Sequence, residues 1–296
     1  MQWNTLLQPV FDNRTDGSRA VWRQLARQMA GLKPAELPTA TEDLRQWLQT
    51  VMAQLGHFAV VVRRLNAYVQ QIEEGATAAA LQKWWTTEAR GDATRGARHY
   101  FQLRSLQVLQ GAKVLLHSQS SAVKQLLQVA ANEEIIADTK LFQAIGHPAN
   151  EGKWQADALR EQAYQVHLIE DAALGKYLTQ CDYVLLGADV ITKHSFVNKV
   201  GSMPLCAAAV LLKVPVYVIA DPDKCIDESR LPEELVDQLL VEEVAADQAD
   251  VFEHIPIQWV NGFIFPHGVV VPEGIDKLIT QQEWNTTFLQ MIRNAS

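Results

Sequence analysis

Polar residues suited to binding or transforming a small molecule are concentrated in four short segments, three directly after an apolar run and one directly before a predicted helix. The first segment contains His117, Ser118, Gln119 and Ser120. Serine hydroxyls and backbone N–H groups that precede a helix can bind a phosphate group. Serines at this position can equally cap the helix without any ligand. The segment by itself therefore leaves phosphate binding and helix capping equally open.

The second and third segments add a carboxylate and an amine. Asp189 follows Gly187 after the apolar run 183–186, where it could accept protons from sugar hydroxyls, transfer a proton or simply occupy a turn. In the third segment, lysine offers a positive charge to an anion, asparagine a polar contact, and glycine room for a close backbone approach. Their order does not match a Walker A phosphate loop. The residues of this third segment are Asn198, Lys199, Gly201 and Ser202.

The fourth segment contains Lys224, and one further polar position, His147, lies near a predicted strand end. Lys224 is in the turn after the run 214–220, where a solvated side chain is the simpler interpretation. His147 precedes a proline, and a single histidine is more often structural than catalytic. The three cysteines show neither disulfide nor zinc-site spacing, so we expect no metal and no cofactor, and a reducing cytoplasm fits best.

Two regions of the chain, which differ in their sequence patterns, must position these segments. Between residues 17 and 110 the apolar residues recur at helical spacing. After Gly111, short apolar runs alternate with helical stretches, which is typical of a parallel sheet covered by helices. The sequence therefore predicts an α/β fold, with a helical N-terminal domain at residues 1–110 and a Rossmann-like ligand-binding domain at residues 111–296. The predicted strands are 113–117, 140–145, 165–169, 183–186, 214–220 and 269–271.

Charge and hydropathy exclude several classes of partner. The net charge of −8 argues against nucleic-acid binding, which requires clustered lysine and arginine. No apolar run approaches the roughly 20 residues that span a bilayer, and the first residues lack a secretion signal. We therefore expect a cytoplasmic protein that binds neither nucleic acid nor membranes.

The run LLGADVITKHSFVNKVGSMPLCAAAVLLKVPVYVIADPDK carries a resemblance to a known superfamily. This superfamily joins the α, β and δ regulatory subunits of translation initiation factor 2B to methylthioribose-1-phosphate isomerase and ribose-1,5-bisphosphate isomerase. The resemblance is specific because GAD-x-I, NK-x-G-[ST], a small-residue helix and a VPVYV strand occur in that order. It extends at lower specificity over nearly the whole chain, through LLHSQSSAV, HPANEG, HLIEDAAL and VFEHIP. It implies a helical domain, a Rossmann-like domain, and homodimers or larger assemblies.

The resemblance also assigns roles residue by residue. Asp189 falls on the isomerases' catalytic aspartate, and Asn198 with Lys199 falls on their substrate-contacting pair. Ser118 stands where those isomerases carry a catalytic cysteine. A thiol of pKa about 8.5 can be tuned into an acid or base, whereas a serine hydroxyl needs strong activation. His147 stands where many relatives carry an arginine that could clamp a phosphate.

Three functions follow, in order of preference. The first is a binding protein for a sugar phosphate or related phosphorylated metabolite, without the cysteine-dependent isomerase chemistry. The second is an aldose–ketose sugar-phosphate isomerase that uses Asp189, with Ser118 or His117 in an altered role. The third is a translation-regulatory subunit, which would require a translation GTPase as partner.

Overall fold

A computed structural model describes residues 3–13, 17–106, 111–133, 138–240 and 251–293. Among these residues, thirteen α-helices are connected by strands, turns and short 3₁₀ segments. The helices are α1 Trp3–Phe11, α2 Ser18–Ala30, α3 Thr41–Leu55, α4 Ala59–Glu73, α5 Ala78–Arg90, α6 Arg95–Ser105, α7 Ser121–Asn132, α8 Glu151–Arg160, α9 Leu174–Leu178, α10 Ser202–Leu212, α11 Glu233–Leu240, α12 Ile275–Thr280 and α13 Thr286–Arg293. None of the helices so described combines the length and apolar character needed to cross a membrane.

The strands form one large and one small sheet. They are β1 Lys113–Leu116, β2 Lys140–Ala144, β3 Gln165–Ile169, β4 Tyr183–Leu186, β5 Val190–Ile191, β6 Ser195–Lys199, β7 Val216–Ile219, β8 Phe252–Pro256, β9 Gly262–Phe265 and β10 Gly268–Val270. The large sheet has the order β10-β9-β7-β4-β1-β2-β3, and every neighbouring pair is parallel except β9 with β10. The small sheet has the order β5-β6-β8 and is antiparallel.

The large sheet is covered by apolar side chains on both faces, as a parallel sheet requires. Leu115 of β1 packs in one core cluster, whereas its neighbours Val114 and Leu116 pack in another. Each fully buried aliphatic side chain of this kind contributes roughly 1.5–3 kcal/mol. The predicted α/β class with a helical N-terminal region is confirmed, and all six predicted strands are present with end positions within two residues.

The small sheet was not predicted, and it corrects one assignment. Asn198 and Lys199, predicted to lie in a loop, are the last two residues of strand β6. They pair with Glu253 and Phe252 of β8, which lies more than fifty residues further along the chain. The physical reason is that this strand is stabilised by a distant partner, and local sequence patterns do not report distant pairing.

The chain divides into two compact units, which are interleaved along the sequence, whereas the predicted domains are contiguous. The helical unit comprises the described parts of residues 1–92, 226–243 and 280–296, and the sheet unit those of 93–225 and 244–279. Helix α6 belongs to the sheet unit because its Tyr100 and Leu103 pack in the same core cluster as Val114. In the helical unit, Trp85 lies at the centre of an aromatic cluster, with its ring centroid 5.4 Å from that of Trp22.

Candidate functional site

The loops that follow β1 and β4 leave the sheet at a topological switch point. From β1 the chain continues to β2 and β3 on one side, whereas the adjacent β4 leads to β7 and β9 on the other side. Open α/β sheets bind ligands in the crevice that opens at such a point, beyond the carboxyl ends of the strands. A Cβ atom on Gly187 would lie 2.5 Å from the Ser120 hydroxyl, so glycine permits this close approach of the two loops.

Ser118 adopts a left-handed backbone conformation directly after β1, with φ of 62°. Its carbonyl accepts hydrogen bonds of 3.2 Å from the side-chain amides of Gln143 and Gln155. These two glutamines are buried and bonded to each other at 2.9 Å, and Gln155 also accepts the Ser120 N–H at 2.7 Å. A non-glycine residue in this conformation costs about 1–3 kcal/mol, and such strain is concentrated at functional sites. The surrounding network holds Ser118 in its strained position.

The Ser118 side chain is joined to a buried ion pair. Its hydroxyl donates to Glu151 Oε1 at 3.0 Å, and the same oxygen lies 3.1 Å from Lys199 Nζ. The Lys199 side chain is 4% exposed and that of Glu151 is 13% exposed. Gly152 allows helix α8 to begin here, since a Cβ at that position would lie 1.9 Å from the Ala144 carbonyl oxygen. The arrangement places a hydroxyl, a carboxylate and an ammonium in direct contact.

His117 is a buried, neutral hydrogen-bond group in this site. Its Nε2 lies 2.8 Å from the Val200 carbonyl, which can only accept, so Nε2 carries the proton. Burial lowers the pKa of His117 and outweighs the hydrogen bond to Val200 and the neighbouring carboxylates, all of which raise it. A Cβ on Gly201, whose φ is +98°, would lie 2.9 Å from the His117 ring. The carboxylates in question belong to Asp171, Glu151 and Glu253.

The start of helix α10 is fixed by side chains of the small sheet. Asn198 donates to the Ser202 hydroxyl at 3.0 Å, and Ser202 donates to the Lys199 carbonyl at 2.6 Å. Glu253 accepts the Met203 N–H at 2.6 Å. Three of the predicted binding residues, Asn198, Lys199 and Ser202, are therefore joined by hydrogen bonds.

Asp189 and Lys224 form a second ion pair at the same edge of the sheet. Lys224 Nζ lies 3.3 Å from Asp189 Oδ1 and also donates to the Ala188 carbonyl. The Lys224 side chain is 13% exposed, so the simpler interpretation of a solvated lysine is wrong. The Asp189 N–H donates to the Val197 carbonyl at 2.8 Å, which sets Asp189 beside Asn198 at the end of the β5–β6 ladder.

Gln119 and His147 lie at the rim. Gln119 is exposed, and the His147 side chain is 55% exposed. His147 Nδ1 lies 2.9 Å from Asp171 Oδ2, and Asp171 also accepts the N–H groups of Gly146 and His147. Burial raises the pKa of Asp171, but these hydrogen bonds outweigh it and leave the pKa lowered. His147 is thus oriented by a carboxylate.

Comparison with known proteins establishes the family of this chain. The model of the initiation factor 2 subunit family matches residues 3–282. The chain belongs to this family. The predicted superfamily resemblance is therefore confirmed.

The names of the relatives of this chain refer to two different functions. A putative translation initiation factor eIF-2B subunit 2-like protein of Pyrococcus furiosus is 30% identical over 164 residues, which are 55% of this chain and 59% of the relative. The ribose 1,5-bisphosphate isomerase of Methanocaldococcus jannaschii is 27% identical over 180 residues, covering 55% and 56%. These matches span less than two thirds of either relative.

Solved structures share the fold of this family member over nearly its whole described length. The translation initiation factor eIF-2B of Pyrococcus horikoshii has a TM-score of 0.74 at 21% identity, covering 92% of this chain and 97% of the other. The 5-methylthioribose 1-phosphate isomerase of the same organism has a TM-score of 0.66 at 18% identity, covering 93% and 87%. At these identities the likeness establishes the architecture alone.

Two groups of residues that the fold brings to this edge of the sheet are not among the residues predicted from the sequence. Glu151 was noticed only as part of the HPANEG segment. At the end of β7, Arg95 Nε lies 3.3 Å from Asp221 Oδ1, and His99 Nε2 donates to the Ala220 carbonyl at 2.9 Å. Arg95 and His99 are four residues apart on α6, which puts them on one helix face and could have served as a signal. The described residues contain no cluster of three or more His, Cys, Asp or Glu that could hold a metal ion.

Proposed function

We propose that the sheet unit binds a phosphorylated small molecule, a sugar phosphate or a chemically related metabolite, in the crevice between the loops after β1 and β4. The observation that carries this proposal is the Lys199 ammonium, which is 4% exposed at the switch point of the sheet. A buried ammonium is costly unless it is paired with an anion. A phosphate group satisfies the same requirement as a carboxylate, and with more hydrogen-bond acceptors.

The neighbouring residues suit the remainder of such a ligand. In this proposal, Lys199 provides the charge and the backbone at Gly201 provides close approach to the phosphate. Asp189 accepts hydrogen bonds from sugar hydroxyls, and His147 contributes from the rim. The name of one relative, ribose 1,5-bisphosphate isomerase, supports this class of ligand. The serine at position 118 supports binding without thiol chemistry.

A thermal-shift panel of pentose, hexose and nucleoside phosphates tests the proposal. A ligand present at 100 times its Kd stabilises the folded state by about 2.7 kcal/mol. We expect at least one stabilising compound and a loss of its effect in Lys199→Met. Lys140→Met is the matched control because it removes the same charge at the amino end of β2, on the opposite edge of the sheet. Folded protein that no phosphorylated compound stabilises would contradict the proposal.

A second candidate, an aldose–ketose sugar-phosphate isomerase, is favoured by the 3.0 Å hydrogen bond from Ser118 to Glu151. This bond gives the serine an adjacent proton acceptor, which an unassisted hydroxyl lacks. Isomerase activity is expected to disappear in Asp189→Asn while binding of the sugar phosphate persists. Equal turnover in the variant would remove Asp189 from the mechanism. Ser118→Cys is the companion variant, which introduces the thiol of the related isomerases.

We further propose that two copies of the chain associate through helix α10. This helix exposes large apolar side chains, including Leu211 at 83%, and isolated chains rarely expose such a patch without a partner. A solved structure with a similar fold is that of a tetrameric eIF2B-beta2-delta2 complex, with a TM-score of 0.67 at 14% identity. Light scattering is expected to give a dimer or larger species that dissociates in Leu211→Glu. A wild-type monomer would refute self-association and redirect the search to a different protein, including a translation GTPase.

A further inference from the structure

Lys199, the residue proposed to receive the anionic group of a ligand, is already paired with a carboxylate of the same chain. Glu151 Oε1 lies 3.1 Å from Lys199 Nζ and accepts the Ser118 hydroxyl at 3.0 Å. A carboxylate and a phosphate have the same requirements for charge and for hydrogen-bond donors. Glu151 therefore occupies the position of an anionic ligand group.

The charges around this position do not favour a second anion. The lysines at this edge of the sheet, Lys199 and Lys224, are each within 3.3 Å of a carboxylate. Two further carboxylates, those of Asp171 and Glu253, act electrostatically on the adjacent His117. Like charges in a partly buried site repel one another strongly, because solvent screening is weak there. A free phosphate that approached Lys199 would meet this repulsion before it formed any compensating contact.

Glu151 is held through one oxygen only. Its Oε2 atom is buried and has no hydrogen-bond partner within the described structure. A buried carboxylate oxygen without a donor is unfavourable, and in native proteins such a group calls for an explanation beyond stability. A carboxylate placed to neutralise Lys199 until a suitable ligand arrives provides that explanation.

We infer that Glu151 is a specificity-determining residue that competes with ligand anions for Lys199. Glu151 keeps the affinity for a bare anion low, so that binding depends on additional contacts from the sugar portion of the ligand to Ser118 and Asp189. Inorganic phosphate, which lacks hydroxyl groups on a carbon skeleton, is thereby rejected, whereas a sugar phosphate is retained. The inference rests on the proposed function, in which Lys199 receives the phosphate group.

Glu151→Gln tests the inference because it removes the charge while keeping the length of the side chain and an acceptor for Ser118. Isothermal titration with inorganic phosphate and with ribose 5-phosphate is performed on the full chain. We expect Glu151→Gln to bind inorganic phosphate at least about tenfold more tightly than wild type, the factor that 1.4 kcal/mol represents. The ratio of affinities for ribose 5-phosphate and inorganic phosphate should fall.

Asp157→Asn is the matched control, because this substitution makes the same change in net charge. Asp157 lies on the same helix, and its side chain is 69% exposed. Its affinities should stay within about twofold of wild type, because screened surface charges have small effects. The double variant Glu151→Gln/Lys199→Met should lose the gain. If Glu151→Gln does not fold, Glu151→Ala removes the same competitor and carries the same expectation.

The outcomes separate this inference from the proposed function. Wild-type binding of ribose 5-phosphate, with no gain for inorganic phosphate in Glu151→Gln, overturns the inference and leaves the proposed function standing. A gain in Glu151→Gln, when wild type binds no sugar phosphate at all, shows that Glu151 competes for Lys199 but overturns both its role in specificity and the proposed function. Absence of binding by every variant overturns both.

Discussion

Replacement of Gly201 by alanine tests the contact that joins the loop after β1 to the start of α10. The new Cβ is energetically unfavourable for two reasons. At a φ of +98° it occupies a backbone region that L-residues rarely adopt, and it would lie 2.9 Å from Cε1 and Nε2 of His117. The left-handed conformation costs about 1–2 kcal/mol. Displacement of the packed ring adds about 1–3 kcal/mol, the range typical of overpacking.

Gly111→Ala is the matched control because it isolates the conformational cost. Gly111 belongs to the same unit and has a φ of +69°, with nothing within 4 Å of the added Cβ. We expect Gly111→Ala to lower the free energy of unfolding by about 1–2 kcal/mol and Gly201→Ala by about 2–5 kcal/mol. The difference measures the contact with His117.

Native-state hydrogen exchange monitored by mass spectrometry is the appropriate assay. Peptides that cover β1 and β4 report the opening free energy of the sheet unit separately from that of the helical unit. In the double variant Gly201→Ala/His117→Ala, the additional cost should largely vanish, because the ring that the new methyl displaces is gone. Equal destabilisation by Gly201→Ala and Gly111→Ala would refute the packing of His117 against this loop.

Further predictions concern the supports of the same site. Asp171 has a pKa lowered by its hydrogen bonds, so its stabilising effect is complete above the ordinary value of about 3.9 and is lost as the pH falls through the lower folded value. Asp171→Asn should therefore flatten the acid limb of stability measured between about pH 6 and pH 3, and an unchanged slope would contradict this. Gln155→Leu removes the hydrogen bonds of Gln155 to the Ser120 N–H and to the Gln143 side-chain oxygen, and one of the two hydrogen bonds to the Ser118 carbonyl. This loss should cost about 2 kcal/mol or more in urea unfolding. The Ser120 hydroxyl caps helix α7 by accepting the Val123 N–H at 3.3 Å, and Gly187→Ala forces this hydroxyl away. We expect a loss of about 1 kcal/mol in the same measurement, and a neutral effect would contradict the close approach of Gly187 to Ser120.

Six of the seven described strands of the large sheet could be predicted from the sequence because they are short, largely apolar runs, whereas β9 was not predicted. The bounds of β3 and β4 match the prediction residue for residue, since the first run ends before Glu170 and the second before Gly187. The antiparallel sheet could not be predicted in the same way. Strand β5 has two residues, and β6 is paired with a segment more than fifty residues away, so neither carries a sufficient local signal.

The candidate site was partly predictable for a comparable reason. Gly187 and Asp189 follow an apolar run and Lys199 shortly precedes a predicted helix, and the fold gathers all three at the carboxyl edge of the sheet. Glu151 gave no signal of its own, because an acidic residue at the first position of a helix is favoured by the helix dipole in any protein. Its proposed role depends on its contact with Lys199, and Lys199 is positioned by the pairing of β6 with β8.

The position of Ser118 bears most directly on the choice between the two proposed functions, ligand binding and isomerase activity. Both glutamine hydrogen bonds that hold the residue go to its carbonyl, and neither goes to its hydroxyl. The backbone conformation is therefore maintained independently of the side-chain chemistry at this position. A thiol introduced at position 118 would change the acidity of the group beside Glu151 and Lys199, while the direction in which the chain presents that group would stay the same. The difference between binding and catalysis at this site is thus expected to lie in the proton chemistry of a single side chain and its carboxylate neighbour.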